Sequence, residues 1–377
     1  MKKSLVLAMA MALGVTASAY AANPFSDVPA GHWAYDSINK LAAEFAEELD
    51  NLGVRVANLE KKADNVKITG ESKLRYWNYD GDATDLGYTK KDKTQLRSRI
   101  WVTGQINDGW TYKGMLENIQ SFTHSNSGEE TTKFQRAYVN GRIGGVAVQA
   151  GRYGFTDFTG GNIYDTRMDG VQLSYGKDVK LTAGAGKAAD AASKTVGAWN
   201  DGSVADKMYY ANLGAKVGVV DANVGYYKFT DVSAALEQEA NDPDVAIWAA
   251  SVAFPLVKDL KFGATYLKSN MDEGGIDDDG YVLSLDYKGA KAAKAGSWGL
   301  FAKYYDQAAG TYIAHTMEAA GLDLVQNGYN EGFKGYMVGA NYAFAKNIVG
   351  AVKYFDLEAK EHKGDQDTLY AELNFMF

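Results

Sequence analysis

The chain contains no cysteine, which excludes disulfide bonds, thiolate metal sites and a cysteine nucleophile. Its four histidines include no metal-spaced pair, and His124 beside Ser125 is a weak signal for a serine hydrolase. Basic residues are also in deficit, with 39 Lys and Arg against 47 Asp and Glu, a net charge of -8. We therefore expect no enzyme, no metal, no cofactor and no nucleic-acid partner.

Long hydrophobic runs are missing as well. After the first residues, no segment offers about 18 uninterrupted apolar residues, so no membrane-spanning helix is expected. The densest stretch, 245–257, is interrupted by Ser251 and Pro255. Yet 46% of the residues are hydrophobic, with 41 Gly, 25 Tyr and only 4 Pro. Abundant glycine and tyrosine with weak segmental hydropathy are typical of a transmembrane β-barrel.

The N-terminus has the pattern of a secretory leader. Lys2 and Lys3 precede an apolar stretch that ends at Val15, and Ala19-Tyr20-Ala21 forms a small-x-small cleavage site. The apolar stretch is too short to span a membrane, which takes about 20 residues. We expect residues 1–21 to be a signal peptide that is removed from the mature protein.

The C-terminal residues alternate between an apolar and a polar face. The apolar face carries Leu369, Ala371, Leu373, Phe375 and Phe377, and the polar face carries Tyr370, Glu372 and Asn374. A final strand of this kind suits a barrel closing in lipid, where every backbone group is paired internally. The ending on Phe377 also resembles the signature by which the barrel assembly machinery recognises outer-membrane β-barrel proteins.

Residues 67–377 contain sixteen alternating segments separated by turn-rich stretches. The segments lie near 67–78, 94–107, 110–122, 132–143, 145–155, 166–176, 178–187, 206–217, 219–230, 245–255, 259–269, 279–288, 297–306, 333–344, 347–359 and 367–377. Short and long connections alternate between them, as expected for a bacterial barrel. The sequence predicts an all-β transmembrane barrel of about 16 antiparallel strands, with 14 or 18 as the other possible counts.

Charged side chains share one face of the predicted strands. Arg97 and Arg99 lie opposite Ile100, and a charge facing hydrocarbon costs about 2–4 kcal/mol at mid-membrane. These faces should therefore line the interior, which for about sixteen strands is an aqueous channel. Aromatic residues near strand ends should form interfacial girdles: Tyr76, Trp110, Tyr112, Tyr175, Tyr227, Tyr266, Tyr287, Trp298 and Tyr354.

Arginine is concentrated in the first six predicted strands, where seven of the eight arginines lie. Alternation predicts that five of them line the pore: Arg75, Arg97, Arg99, Arg136 and Arg142. The positions of Arg152 and Arg167 are ambiguous. Such a cluster would repel cations and orient carboxylates or phosphates. The alternative is that these arginines only bond to neighbouring strands or loops.

The third long connection, residues 155–165, is rich in glycine and contains Asp157 and Asp165. It resembles the loop that folds into the channel of general diffusion porins and narrows it. That resemblance implies that Asp157 and Asp165 face the arginines across the constriction. The alternative is a surface loop that never enters the lumen.

Residues 22–41 contain Phe25-Ser26-Asp27-Val28-Pro29 and His32-Trp33-Ala34-Tyr35. These motifs resemble the opening of an S-layer homology (SLH) domain, a module that holds proteins to cell-wall polymers. About the first third of such a domain is present. The resemblance implies that Asp27, His32 and Trp33 contact the wall; the alternative is that Trp33 only packs at a helix start.

Residues 42–66 change to a helical period. A 3,4 spacing joins Ala42, Phe45, Leu49, Leu52, Val56, Leu59, Ala63 and Val66. An apolar seam of this spacing must be buried against partner helices. We expect a short coiled-coil stalk, or else a single amphipathic helix plugging or lying beside the barrel.

Leader, SLH opening, heptad helix and barrel, in that order, resemble the SLH-domain porins (OmpM type) of diderm Firmicutes. The resemblance implies a homotrimeric general diffusion porin of the outer membrane that passes small hydrophilic solutes, with its stalk in the periplasm. It also implies a second role, as a tether from the outer membrane to peptidoglycan or a secondary cell-wall polymer. A substrate-specific channel is a third possibility.

Overall fold

A computed structural model of the chain describes residues 35–63, 65–82, 91–123, 127–189, 205–230, 232, 244–271, 277–319, 332–360 and 364–377. The chain divides into two units, Met1–Val66 and Lys67–Phe377. The predicted signal peptide and the candidate wall-contact residues Asp27, His32 and Trp33 lie outside the described residues.

Within the described residues of the first unit, the chain forms one helix, α1 (Tyr35–Ala63). It begins inside the segment that resembles an SLH domain and continues through most of the predicted stalk. Phe45, Leu49 and Leu52 are three and four residues apart on its surface and are 61%, 49% and 53% exposed. The helix therefore presents an apolar seam, and pairing of that seam in a coiled coil stays a prediction. Among the described residues, no helix is long and apolar enough to cross a membrane.

The second unit is a closed antiparallel barrel of sixteen strands in which β1 pairs with β16. The strands are β1 (Val66–Gly81), β2 (Asp92–Asn107), β3 (Trp110–Ser121), β4 (Glu130–Ile143), β5 (Val146–Thr156), β6 (Asp165–Gly176), β7 (Val179–Lys187), β8 (Lys207–Val217), β9 (Val220–Thr230), β10 (Val245–Val257), β11 (Leu260–Ser269), β12 (Asp279–Lys288), β13 (Trp298–Gln307), β14 (Phe333–Ala345), β15 (Ile348–Ala359) and β16 (Asp365–Met376). The predicted fold and strand count are confirmed, although Val66 belongs to β1 and not to the helix.

Alternation along each strand decides which side chains point out. On β16, Leu369 and Phe375 are exposed on the outer face while Tyr370 is buried inside. The same rule exposes Val338 on β14 and buries Met337 next to it. Successive side chains in a strand point to opposite faces, so this pattern gives the barrel an apolar outside and a separate interior.

The two ends of the barrel differ in the length of their connections. One end carries turns of two residues between paired strands, apart from the longer turn 289–297. Gly144, Gly218 and Asn347 have positive φ values of 57, 62 and 66 degrees in these turns, a conformation that glycine and asparagine adopt most easily. All long loops lie at the other end, as the sequence predicted.

Outward aromatic side chains lie near the strand ends, including Tyr175, Tyr266 and Trp298. Tyr227 does not belong to this set, so its assignment to a girdle was wrong. It lies on the inner face of β9, is fully buried, and packs against Tyr210 and Phe158.

The barrel closes at its last residue. The backbone N–H of Gly70 donates to the carbonyl oxygen of Phe377 at 2.7 Å, and the N–H of Phe377 donates back to Gly70 at 2.9 Å. The Phe377 ring lies over Gly70, where an added Cβ would approach ring atom Cε2 to 2.4 Å. Glycine at this position is therefore required for the close approach of the terminal ring.

The core lies inside the barrel and forms two apolar clusters. The first joins side chains of β5, β6 and β8–β11, and the second joins side chains of β1 and β12–β16. Both clusters also include residues of loops that fold inward. Neither contains a buried residue of β2, β3 or β4, so that stretch of wall is not covered by either cluster.

Candidate functional site

Two loops enter the barrel from opposite sides and meet. The third loop (157–164) joins β5 to β6, and the seventh loop (308–332, described to 319) joins β13 to β14. These connections are eight strands apart in a ring of sixteen, so they are diametrically opposed. The Ile163 carbonyl accepts the N–H groups of Ile313 and Ala314 at 2.9 and 3.1 Å. Together the loops form a bridge across the lumen.

Side chains reinforce this bridge. The hydroxyl of Thr316 donates to Asp165 Oδ2 at 2.6 Å, and the Thr316 N–H donates to the carbonyl oxygen of Gly161 at 2.9 Å. Gln307 Nε2 donates to the carbonyl oxygen of Asn162 at 3.1 Å. The third loop therefore enters the lumen and is fixed there by the seventh, a contribution that the sequence did not predict.

Asp157 was predicted to face the arginines across the constriction. In the structure it instead organises the third loop. Its side chain is only 3% exposed, and its carboxylate accepts the N–H groups of Thr159, Ile163 and Tyr164 at 2.7, 3.0 and 2.8 Å. Burial raises the pKa of Asp157 above its usual value, against the effect of these donors. The loop is thus folded around its own buried carboxylate.

His315 anchors the seventh loop in an aromatic box. Its Nδ1 accepts the N–H of Met317 at 3.2 Å, so Nε2 carries the proton and donates to Gln307 Oε1 at 3.0 Å. The edges or faces of Tyr305, Tyr312 and Phe333 surround the ring at centroid distances of 5.6–6.0 Å. Burial lowers the pKa of His315 to about 3, so the imidazole is neutral near pH 7.

Although β1 and β16 also contribute to the second apolar cluster, the inner wall formed by β16 and β1–β4 carries charge. We call it the charged wall, and it consists of Glu372, Glu71, Lys73, Arg75, Arg97, Arg99, Glu117 and Arg136, from β16 and β1–β4. Lys73 pairs with Glu372 at 3.0 Å, and Arg99 Nε pairs with Glu117 at 2.6 Å. Glu71 lies between Arg97 and Arg99 at 3.5 and 3.6 Å. Three of the cations on this wall are therefore paired with glutamates.

Solved structures of outer-membrane proteins align with this barrel. No protein-family model and no curated protein matches the sequence. One mutant of the Rh. blastica porin aligns with a TM-score of 0.50 at 14% identity, over 83% of this chain and 100% of that chain. A loop-deletion mutant of OmpT, an outer membrane protein of Vibrio cholerae, aligns with a TM-score of 0.50 at 15% identity, over 82% and 100%. The barrel has the porin fold.

Four of the five arginines predicted to line the pore lie together in this porin fold: Arg75, Arg97, Arg99 and Arg136. Arg142 is separate from them. It lies exposed at the short-turn end, where its Nη1 donates to the carbonyl oxygen of Gly145 at 3.3 Å. Arg152, whose position alternation left open, points outward and pairs with Asp169 at 2.5 Å.

The acidic partners of the charged wall were not predicted to have a role. Glu71 and Glu117 lie on the inner faces of β1 and β3, so the alternation that placed the arginines also places them. A further carboxylate comes from the seventh loop, where Glu318 pairs with Lys353 of β15 at 2.8 Å. The sequence shows only that Glu318 lies on a long connection, which does not predict that its side chain reaches the inner wall.

Proposed function

We propose that this protein is an outer-membrane porin through which small hydrophilic solutes diffuse passively. One observation carries the proposal: charged side chains that keep contact with solvent line the inside of a closed barrel whose outside is apolar. Lys73, Arg97 and Arg99 have side chains that are 16–18% exposed within the lumen. A charged, hydrated interior of sixteen strands is the architecture of an aqueous pore.

The bridge and the charged wall define the passage. The two loops and the apolar clusters occupy much of the lumen, so solutes pass beside β2–β4 and along the charged wall. That wall holds five cationic groups and three glutamates. The surplus is positive although the whole chain has a net charge of -8. A moderate preference for anions follows, because fixed cations lower the energy of an anion in a low-dielectric pore.

Liposome swelling tests the diffusion of solutes. Mature protein reconstituted in liposomes should admit neutral sugars at rates that fall steeply with their size, since a fixed constriction sets the limit. Liposomes without protein are the control. If no sugar enters, or if the purified protein is soluble without detergent, the proposal is wrong.

A homotrimer held in part by α1 is proposed on the exposed seam of Phe45, Leu49 and Leu52. Three parallel helices would bury that seam. Sedimentation of the mature protein in detergent tests the assembly, and a monomer would contradict it. Recognition of Phe377 by the assembly machinery and wall contact through Asp27, His32 and Trp33 remain proposals from the sequence. Retention of the mature protein by peptidoglycan sacculi, lost on Trp33→Ala, would support the wall contact.

A further inference from the structure

Two cations share one indole ring at the edge of the charged wall. The guanidinium carbon of Arg75 lies 5.0 Å from the centroid of the Trp77 ring, and the Nζ of Lys93 lies 5.2 Å from it. Trp77 is itself held in place by the ring of Tyr370 at 5.1 Å. Attraction to the indole holds the guanidinium group from β1 and the ammonium group from β2 close to the same ring.

These two cations resemble Arg136, whose Nε donates to the amide oxygen of Gln135 at 3.2 Å, and differ from the remaining cations of the wall in their partners. Lys73, Arg97 and Arg99 each have a carboxylate within 4.0 Å. Among the described residues, Arg75 and Lys93 form no such ion pair. Arg75 donates through Nη2 to the neutral amide oxygen of Gln95 at 3.0 Å, and its buried Nε has no hydrogen-bond acceptor among the described residues.

Their arrangement is electrostatically unfavourable for the protein alone. Lys93 lies within the repulsive field of Arg75, and both side chains are partly buried. Desolvation and like-charge repulsion both raise the energy of such a pair. An anion that accepted a hydrogen bond from each would relieve both effects. A guanidinium edge beside an ammonium group suits the several acceptor oxygens of a phosphate or carboxylate.

We propose that Arg75 and Lys93, set on Trp77, form a saturable binding site for a small oxyanion, phosphate or carboxylate, in the lumen. The proposal rests on the proposed channel function and goes beyond it, because simple diffusion shows no saturation. Arg75 contributes guanidinium N–H groups and Lys93 the ammonium group, and the indole holds both in place.

Planar-bilayer recordings of the full mature protein test this site. Chloride current is measured at constant potassium chloride while inorganic phosphate, or in a second arm succinate, is titrated in. The current should fall to a plateau with at least one of the two anions. Arg75→Gln and Lys93→Gln should each raise the half-blocking concentration about tenfold, the loss expected for one charge-assisted hydrogen bond. The matched control is Arg152→Gln, an outward arginine, which should leave the half-blocking concentration unchanged.

The outcomes separate this site from the channel itself. If no variant conducts, the proposed function fails. If the protein conducts but neither anion gives a saturable block, the binding site is refuted and the proposed channel function stands. The same conclusion follows if the anions block Arg75→Gln and Lys93→Gln at the same concentration as the parent. If Arg75→Gln does not assemble, Lys93→Gln and the charge-retaining Arg75→Lys decide the question. The half-blocking concentration of the anion should then be lower for Arg75→Lys than for Lys93→Gln, and equal half-blocking concentrations would count against the site.

Discussion

The two sides of the barrel interior follow the same alternation but end in different environments. On β1–β4 and β16, inward residues such as Lys73 and Arg99 are charged, paired and partly hydrated. On β8–β10, inward residues such as Tyr210, Phe229 and Ile247 are buried and dry. The two sides differ because the bridge covers the inner face of β8–β10. In this barrel the inner face is largely apolar where the bridge lies on it and charged where it does not.

The dry side is packed like the core of a soluble protein. The rings of Tyr210 and Tyr227 stack at 5.9 Å, and Phe155 packs against Tyr210 at 4.6 Å. Ile163 and Ala314, from the two loops of the bridge, belong to the same cluster. Since aromatic pairs add to the gain from burying area, these contacts hold the bridge against the wall.

Removing a large side chain from the dry side should have the largest effect on stability. Phe229→Ala is expected to lower the free energy of unfolding by about 3–5 kcal/mol, because it leaves a cavity among fully buried neighbours. Urea unfolding in detergent, followed by tryptophan fluorescence, measures this loss. Val224→Ala, on the outer face of the same strand, is the control and should lose much less. Equal losses would show that the inner cluster is not a packed core.

Asp157→Ala should loosen the third loop. The substitution leaves three buried N–H groups without their acceptor, and each such loss costs about 1–3 kcal/mol. Hydrogen exchange at residues 157–164 should accelerate while the strands stay protected. Asp157→Asn retains one acceptor oxygen and should show a smaller change. If hydrogen exchange at residues 157–164 is unchanged in Asp157→Ala, this carboxylate does not organise the loop.

Neutralising the charged wall should change ion selectivity more than stability. Arg97→Ala with Arg99→Ala leaves Glu71 and Glu117 without these partners, so the charged wall keeps three cations and three glutamates and loses its positive surplus. The reversal potential in a potassium chloride gradient should move toward that of a cation-preferring pore. The outward Arg152→Ala serves as control and should not move it. If the reversal potential of the double variant does not change, the charged wall does not line the passage.

Lowering the pH should loosen the seventh loop, and this should be the smallest of the four expected effects. The pKa of His315 is about 3 when the loop is seated and near 6.5 when it is released. Between these values the released loop binds a proton that the seated loop does not, so falling pH favours release. Protease cleavage within 308–319 should increase from pH 6.5 toward pH 4. His315→Gln, which takes up no proton, should flatten this dependence; an unchanged pH profile would contradict it.

Alternation and turn chemistry predicted the barrel because both act locally. Strand bounds agree to within a few residues, as on β12 (Asp279–Lys288), where the expected and observed limits coincide. The charged wall was predicted in part for the same reason: an arginine at every second position can face only one way. Its glutamate partners follow from the same rule but were given no role.

The bridge could not be predicted from the same signals. Contacts such as Thr316 with Asp165 join residues that are 151 positions apart, and neither loop has a periodic pattern. One signal was present in β10, where Val245, Ile247 and Ala249 point inward although they are apolar. A strand that is apolar on both faces needs a cover on each, and here the cover is a loop.

The contact of Phe377 with Gly70 has a consequence for the register of the closing strands. The Phe377 ring fits only where its partner on the first strand has no side chain. A displacement of the final strand by two positions would set the ring against the side chain of Ser72 or Ile68 instead. A single glycine thus disfavours any other stagger between β1 and β16, and the stagger of the strands together with their number determines the circumference of a barrel.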